Sequence, residues 1–204
     1  MRVNVYDFPR LSKGPAIPYG AYDVGRNEGY INVGMNQETS EFAVESLRWW
    51  WRAYGRRKYP GAKRLLLCAD GGGSNGSRRR AWKRHVQELA TEMVLPITVC
   101  HYPPGTSKWN KIEHRLFSQI SLNWQGIPLE SCEAVVSLIA ETKNGKGLRV
   151  RARPDRREYA PKEKVISEVM STLKIRPHAT NPQWNYTIDP VRNRQMTLPA
   201  TAMG

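Results

Sequence analysis

Leu65-Leu66-Leu67-Cys68-Ala69-Asp70-Gly71-Gly72-Gly73-Ser74-Asn75-Gly76 is the stretch on which the fold turns. An unbroken apolar run with Lys63 and Arg64 before it and glycine after it has the length of a strand and no helical period. Continuous rather than alternating apolarity predicts a strand covered on both faces, as in a sheet with helices on either side. Asp70 is then a carboxylate at the strand's C-terminal end, the edge where sites gather in such sheets. The glycines that follow let backbone and ligand approach closely and free the carboxylate to face outward. A P-loop would need Lys and Ser or Thr after its last glycine, but Gly76 is followed by Ser77 and Arg78.

Upstream of this run, Arg2 to Pro18 carries Pro9, Gly14, Pro15 and Pro18 and reads as extended loop. Ala16 to Val24 and Tyr30 to Met35 are β-type runs joined by Gly25-Arg26-Asn27-Glu28-Gly29, a hairpin pattern. Thr39 or Ser40 can cap a helix with Ala43, Leu47, Trp50 or Trp51, and Tyr54 on its apolar side, ending at Gly55. The Trp49-Trp50-Trp51 cluster on it reads as packing rather than as a base-stacking platform. Downstream, a basic helix is predicted from about Ser77 to Met93, with Trp82, Val86, Leu89, Ala90 and Met93 on one stripe. A buried strand follows at Pro96 to Cys100. Thr106 or Ser107 then caps a helix to about Trp124, striped by Trp109, Ile112, Leu116, Ile120 and Trp124. The layout is mixed α/β, with the later strands parallel by crossover. After Thr142, Leu148, Val150 and Ala152 alternate with Arg149, Arg151 and Arg153, and a helix is expected from Lys162 to Leu173.

The chain has 204 residues, 40% of them hydrophobic, which suits a single domain with one substantial core. No run approaches the roughly 18 apolar residues of a membrane span and no secretory pattern opens the sequence, so a soluble, cytoplasmic protein is expected. Cys68, Cys100 and Cys132 lie far apart with no Cys-x-x-Cys pair, which argues against a disulfide framework. A zinc site from Cys68, Cys100, His101 and His114 is conceivable across neighbouring strands, but it lacks paired ligand spacing. The formal net charge of +14 makes nucleic acid the leading partner. Between Arg48 and Arg84 the cations are Arg48, Arg52, Arg56, Arg57, Lys58, Lys63, Arg64, Arg78, Arg79, Arg80, Lys83 and Arg84, and the one acid is Asp70. A lone carboxylate amid that charge invites a functional reading.

Glu113 falls two turns into the predicted helix, beside its apolar stripe, with Asn110 one turn earlier. On position alone it could equally be a solvated or ion-paired helix residue. Tyr102-Pro103-Pro104-Gly105-Thr106-Ser107-Lys108-Trp109-Asn110-Lys111-Ile112-Glu113-His114, however, resembles the segment in which DDE transposases of the ribonuclease H-like fold carry their third carboxylate. Tyr19-Gly20, Phe42-Ala43-Val44-Glu45-Ser46, Ala69 to Asn75 and Trp184-Asn185-Tyr186-Thr187-Ile188 extend the likeness to the Rhodopirellula-type DDE transposase family of insertion sequences, from about Val3 to Pro190.

The resemblance implies a ribonuclease H-like mixed sheet flanked by helices, lacking the family's first strand, with residues 1–142 as catalytic core; the change of texture after Thr142 makes 143–190 a basic extension of the same domain, and 191–204, without periodicity, is expected to be a disordered tail. It implies Asp70 as second and Glu113 as third carboxylate, together holding two Mg²⁺ or Mn²⁺ ions for DNA strand cleavage and strand transfer in transposition. DNA contacts are expected from Arg48, Arg52, Arg78, Arg79, Lys83, Lys108, Asn110 and Lys111. Asn75 and His114 are candidate accessory residues; a single His beside an acid is more often a packing or surface residue. No membrane or small-molecule substrate is expected, a homo-oligomer is possible, and a nucleoid-associated bacterial location follows by analogy.

In the family the first catalytic Asp stands on a strand before the extended loop, in a motif like Val-Asp-Thr-Lys, and this sequence is expected to start after that point. Asp7, in the loop, and Asp23, near a strand end, do not match the position. The family's first strand is central, between its second and fourth, so two inner sheet edges are expected to be unpaired here. The expectation is an N-terminally truncated or mis-started product, poorly active and poorly folded alone. A competing reading from another class is a non-catalytic basic DNA-binding remnant, distinguished by whether Asp70 and Glu113 support strand cleavage.

Overall fold

The computed structural model describes residues 16–103, 105–127, 131–161 and 163–191. The expected loop before Ala16, with Asp7, the tail beyond Val191, and Pro104 and Lys162 lie outside the described residues.

The elements run β1 (Ile17–Asp23), β2 (Glu28–Gly34), α1 (Ser40–Trp50), a π-turn (Trp51–Gly55), α2 (Arg56–Lys58), β3 (Leu65–Ala69), α3 (Arg80–Met93) and β4 (Ile97–His101). There follow a second π-turn (Glu113–Phe117), α4 (Ser118–Trp124), α5 (Cys132–Ala140), β5 (Arg149–Asp155), α6 (Ser167–Thr172), β6 (Ile175–Pro177) and β7 (Asn185–Ile188). β1 and β2 form the expected antiparallel hairpin, with Asn27 supplying the positive φ (54°) of the turn. β5 adds parallel to β2, making one sheet in the order β1-β2-β5. The second sheet has the order β3-β4-β7-β6, with β3 and β4 parallel and β7 antiparallel to both neighbours. The molecule is thus mixed α/β with helices flanking two mixed sheets.

Each sheet has its own apolar cluster. Against the second sheet, α1 and α3 bury Ala43, Val44, Leu47, Trp82, Val86 and Leu89 over Ile97, Val99, Tyr186 and Ile188. The α3 stripe foreseen from its 3.6-residue period is the buried face, and Trp82 Nε1 donates to Tyr186 Oη at 3.1 Å, so neither polar tip is stranded. Against the first sheet, Leu116 and Ile120 of the π-turn and α4, with Val135 and Ile139 of α5, cover Ile31, Val33 and Val150. The α1 cap is Thr39, whose hydroxyl accepts from Phe42 N at 3.1 Å.

Several sequence expectations need correction. β3 has the foreseen bounds but is not covered on both faces, since Leu66 is 59% exposed. Leu66 lines an open cleft, and among the described residues β3 pairs with β4 alone. The helix foreseen from Lys162 is confined to Ser167–Thr172, and the basic helix begins at Arg80 rather than Ser77. Trp109 is 59% exposed in a 3₁₀ turn (Ser107–Trp109), outside the helix whose stripe it was assigned to. The helix α5 and the strands β6 and β7 carried no pattern strong enough to assign. Residues 149–155 and 185–188 supply a strand to each sheet.

Two buried carboxylates tie the first sheet together. Glu28, 2% exposed, accepts from Lys58 Nζ and from Tyr30 Oη at 2.5 Å; burial pushes its pKa up, but those partners outweigh it and hold it below the usual range. Asp155, 4% exposed, accepts from Asn32 Nδ2 (2.8 Å), Tyr159 Oη (2.8 Å), and Arg157 Nε (2.9 Å) and Nη2 (2.6 Å). Burial alone would raise its carboxyl; the donors hold it far below the carboxylate range. A depressed folded-state pKa contributes stability that is complete above the unfolded value of about 3.9 and is lost as pH falls toward the folded value. Melting temperature is therefore expected to drop on acidification below about pH 4, and Asp155→Asn to lower stability near neutral pH by about 2–4 kcal/mol while flattening that acid limb. Thermal melts of both proteins from pH 7 to pH 2.5 check this; an unchanged acid limb in the variant would show that Asp155 is not responsible.

Candidate active site

Asp70 is the first residue beyond β3, and its position follows from the parallel β3–β4 ladder. Tyr102 N, just past β4, donates to Ala69 O at 2.9 Å and so locks the two strand ends level. The glycine loop after Asp70 is pinned from several sides. His101 directs Nε2 at Asn75 O (2.8 Å) and Nδ1 at Trp184 O (2.9 Å), and Ser40 Oγ donates to Ser74 O at 2.6 Å. Ser74 Oγ in turn donates to Glu38 Oε1 at 2.8 Å. Gly73 takes φ of +71°, where a Cβ would be strained, so glycine is required at this bend.

Glu113 reaches the same place from another element. Asn110, 6% exposed, donates from Nδ2 to Asp70 Oδ1 at 3.1 Å, and its carbonyl accepts from Glu113 N at 3.2 Å. One residue thus bridges the strand-end carboxylate to the helical segment bearing the second. That segment is not the regular α-helix foreseen: Glu113 opens the π-turn Glu113–Phe117, a local widening that proteins often place at functional sites. One Glu113 carboxylate oxygen is buried, and Asp70 and Glu113 both line a cleft of about 2030 Å³ between β1 and β3.

The segment can lie so low on the first sheet because glycines face it. A Cβ on Gly20 would meet Phe117 at 2.8 Å, and one on Gly29 would meet Leu116 at 2.4 Å.

Of the residues singled out in the sequence, Asp70, Glu113, Asn75, Asn110, Lys111, Arg78 and Arg79 line this cleft, the last two and Lys111 as exposed cations at its rim. Arg48 and Arg52 do not; they pair with Glu92 of α3 at 2.7 and 2.6 Å. Lys83 stands over the Tyr186 ring, 5.2 Å from its centroid, and burial lowers its pKa. Exposed His114 points Nε2 at the Lys108 carbonyl at 2.8 Å, outside the cleft lining. Zinc binding by His101 is disfavoured because both ring nitrogens face backbone carbonyls, so neither is open to a metal ion. Sequence reasoning missed Tyr19 and Glu38, which also line the cleft. Burial foremost, then Glu38, pushes the Tyr19 hydroxyl far above its ordinary range, with Asn75 opposing as hydrogen-bond partner. Tyr19 figures only in the Tyr19-Gly20 likeness and Glu38 in no motif; β1 brings the first to the cleft and the segment between β2 and α1 the second.

Two mixed sheets flanked by helices are consistent with a ribonuclease H-like fold of the DDE type. The family described as Rhodopirellula transposase DDE domain matches residues 1–190, and the chain belongs to it. No curated protein and no solved structure matches the chain. Among the described residues no helix is long and apolar enough to cross a membrane.

The close approach of Gly29 to Leu116 gives a test of this architecture. Gly29→Ala is expected to cost about 1–3 kcal/mol by overpacking. Chemical denaturation measures it, and a variant as stable as the parent would mean that the π-turn does not press on β2 as described.

Proposed function

We propose that the chain acts in DNA strand cleavage and strand transfer, with Asp70 and Glu113 as its metal-binding carboxylates. The observation that carries this reading is the Asp70–Asn110–Glu113 connection, which brings two acids from separate elements to one cleft wall beneath a basic rim. The donor set suits Mg²⁺ or Mn²⁺: both acids offer hard anionic oxygens, and Mg²⁺ commonly takes one or two carboxylates and keeps several waters. When bound, such ions activate a water or a DNA 3′-hydroxyl and stabilise the leaving oxygen of the phosphodiester. Asn110 orients the Asp70 carboxylate through Nδ2, and the pinned glycine loop keeps the backbone beside it from shifting. Arg78, Arg79 and Lys111 place positive charge where a DNA backbone would pass. Arg48, Arg52, Lys83 and Lys108 would add to general rather than site-directed DNA affinity.

Nicking of supercoiled plasmid in Mg²⁺ or Mn²⁺ tests the reading. Asp70→Ala and Glu113→Ala are each expected to reduce cleavage by about 10²-fold or more, with circular dichroism and DNA binding retained. Asn110→Ala, acting through Asp70, should lose about 10–100-fold and show weaker Mn²⁺ affinity in a metal titration. Cleavage that survives both carboxylate substitutions rules out this site; DNA binding without any cleavage favours a basic binding module.

The electrostatic part has its own signature. Affinity for duplex DNA should fall linearly on a log–log plot against salt, and Arg78→Ala with Arg79→Ala should make the slope shallower by about 1 for each phosphate no longer neutralised. A salt-independent affinity would exclude the basic rim as the DNA surface.

A further inference from the structure

The helix that walls the cleft has a second, charged face turned away from it. Leu47 and Trp50 of α1, with Trp51 of the π-turn that follows, line the cleft. Half a turn round the same helical segment, Glu45, Arg48, Trp49, Arg52 and Ala53 line a separate groove of about 510 Å³. Its other wall is the end of β5, with Arg153, Pro154 and Asp155, and then Arg157. β5 can supply that wall because its residues alternate: Val150 and Ala152 pack into the core of the first sheet, so Arg149, Arg151 and Arg153 project from the opposite face.

Two of these arginines are held over aromatic rings. The Arg153 guanidinium lies 4.7 Å from the Trp49 ring centroid, and that of Arg151 lies 5.1 Å from Tyr54 and 5.8 Å from Tyr30. Stacking restrains a guanidinium and leaves its edge to donate, which suits bidentate phosphate contacts at small entropic cost. Among the described residues Arg153 hydrogen-bonds through Nε alone, to Asn32 Oδ1 at 2.9 Å, and the buried Nη1 of Arg151 has no hydrogen-bond partner.

The acids of this face do not cancel its charge. Glu45 is shared by Arg48 and Arg157, Asp155 by Arg153 and Arg157, and Glu92 by Arg48 and Arg52. Glu28 holds Lys58, with Arg26 and Arg151 within 4 Å. Exposed Arg149 then brings the cations to eight against those four acids. A surplus of this kind on restrained side chains fits a polyanion, whereas a second copy of a chain carrying +14 is repelled by it.

We propose that this groove binds the phosphate backbone of a nucleic-acid segment other than the one that enters the cleft, so that α1 stands between two bound segments. The contact reads no bases and needs neither Asp70 nor Glu113, so it stands or falls apart from cleavage.

Arginine modification by phenylglyoxal, mapped by mass spectrometry on the full chain in EDTA, tests the proposal with a duplex of about 12 base pairs, just over one helical turn. With duplex at about ten times its dissociation constant, Arg52 and Arg149 are expected to react about tenfold more slowly. The same protection should persist in the Arg78→Ala, Arg79→Ala chain. Native mass spectrometry should show two duplexes on the parent chain and one on an Arg52→Glu, Arg149→Glu chain; should that chain lose its circular dichroism, Arg149→Ala is read in its place. Equal reactivity of Arg52 and Arg149 with and without duplex overturns the proposal, as does a single duplex that protects both faces. One duplex that protects Arg52 and Arg149 but not Arg78 and Arg79 upholds the groove and tells instead against the cleft as a DNA surface. Protection that appears without DNA as protein concentration rises overturns the proposal in favour of contact between copies. Protection by polyglutamate but not by duplex overturns it in favour of an acidic protein segment.

Discussion

The pairing of β3 with β4 is the constraint on which the rest depends. Once Tyr102 N–H is bonded to the Ala69 carbonyl, Asp70 and the turn after β4 must emerge side by side. That turn leads within a few residues to Asn110, whose amide closes on Asp70. The glycine loop is then held at two of its carbonyls, by His101 and by Ser40. A site of this kind needs little long-range machinery: its geometry is inherited from strand register and from one buried amide.

The two sheets answer different demands. The second sheet, with its parallel pair β3–β4 under α1 and α3, carries the strand end that bears Asp70. The first sheet, with its glycines at Gly20 and Gly29, provides the floor on which the Glu113 segment rests. Glu113 can face the cleft only if that segment sits low, so the bare backbone at Gly20 and Gly29 is as much a part of the site as its acids. The buried Glu28 and Asp155 clusters stiffen this floor, at a desolvation cost that their several donors offset.

Much of this was legible in the chain itself. Leu65 to Ala69 is long enough and apolar enough to be a strand in any context, and the α3 stripe from Trp82 to Met93 has a period that only a helix satisfies. The Asp70-glycine loop and the Asn110-x-x-Glu113 spacing marked the candidate site before any geometry was available. Less was legible where the determining partners are distant. The short β6 and β7 become strands because β4 offers an edge, and Arg149 to Asp155 because β2 does. Trp109 fits a helical stripe by spacing yet sits exposed, since the turn at Ser107–Trp109 interrupts the helix before the stripe begins.

The sequence by itself determined the types of the longer elements and the basic character, and it marked Asp70 and Glu113 as candidates, because these depend on local period, composition and motif. Tertiary structure alone decided that Leu66 is exposed, that Arg48 and Arg52 are spent on Glu92 rather than on the cleft, and that Tyr19 and Glu38 line it. Each of these depends on which edge or helix comes to lie alongside. Such contacts are made between residues far apart in the chain, and no local pattern of apolar and charged residues encodes them.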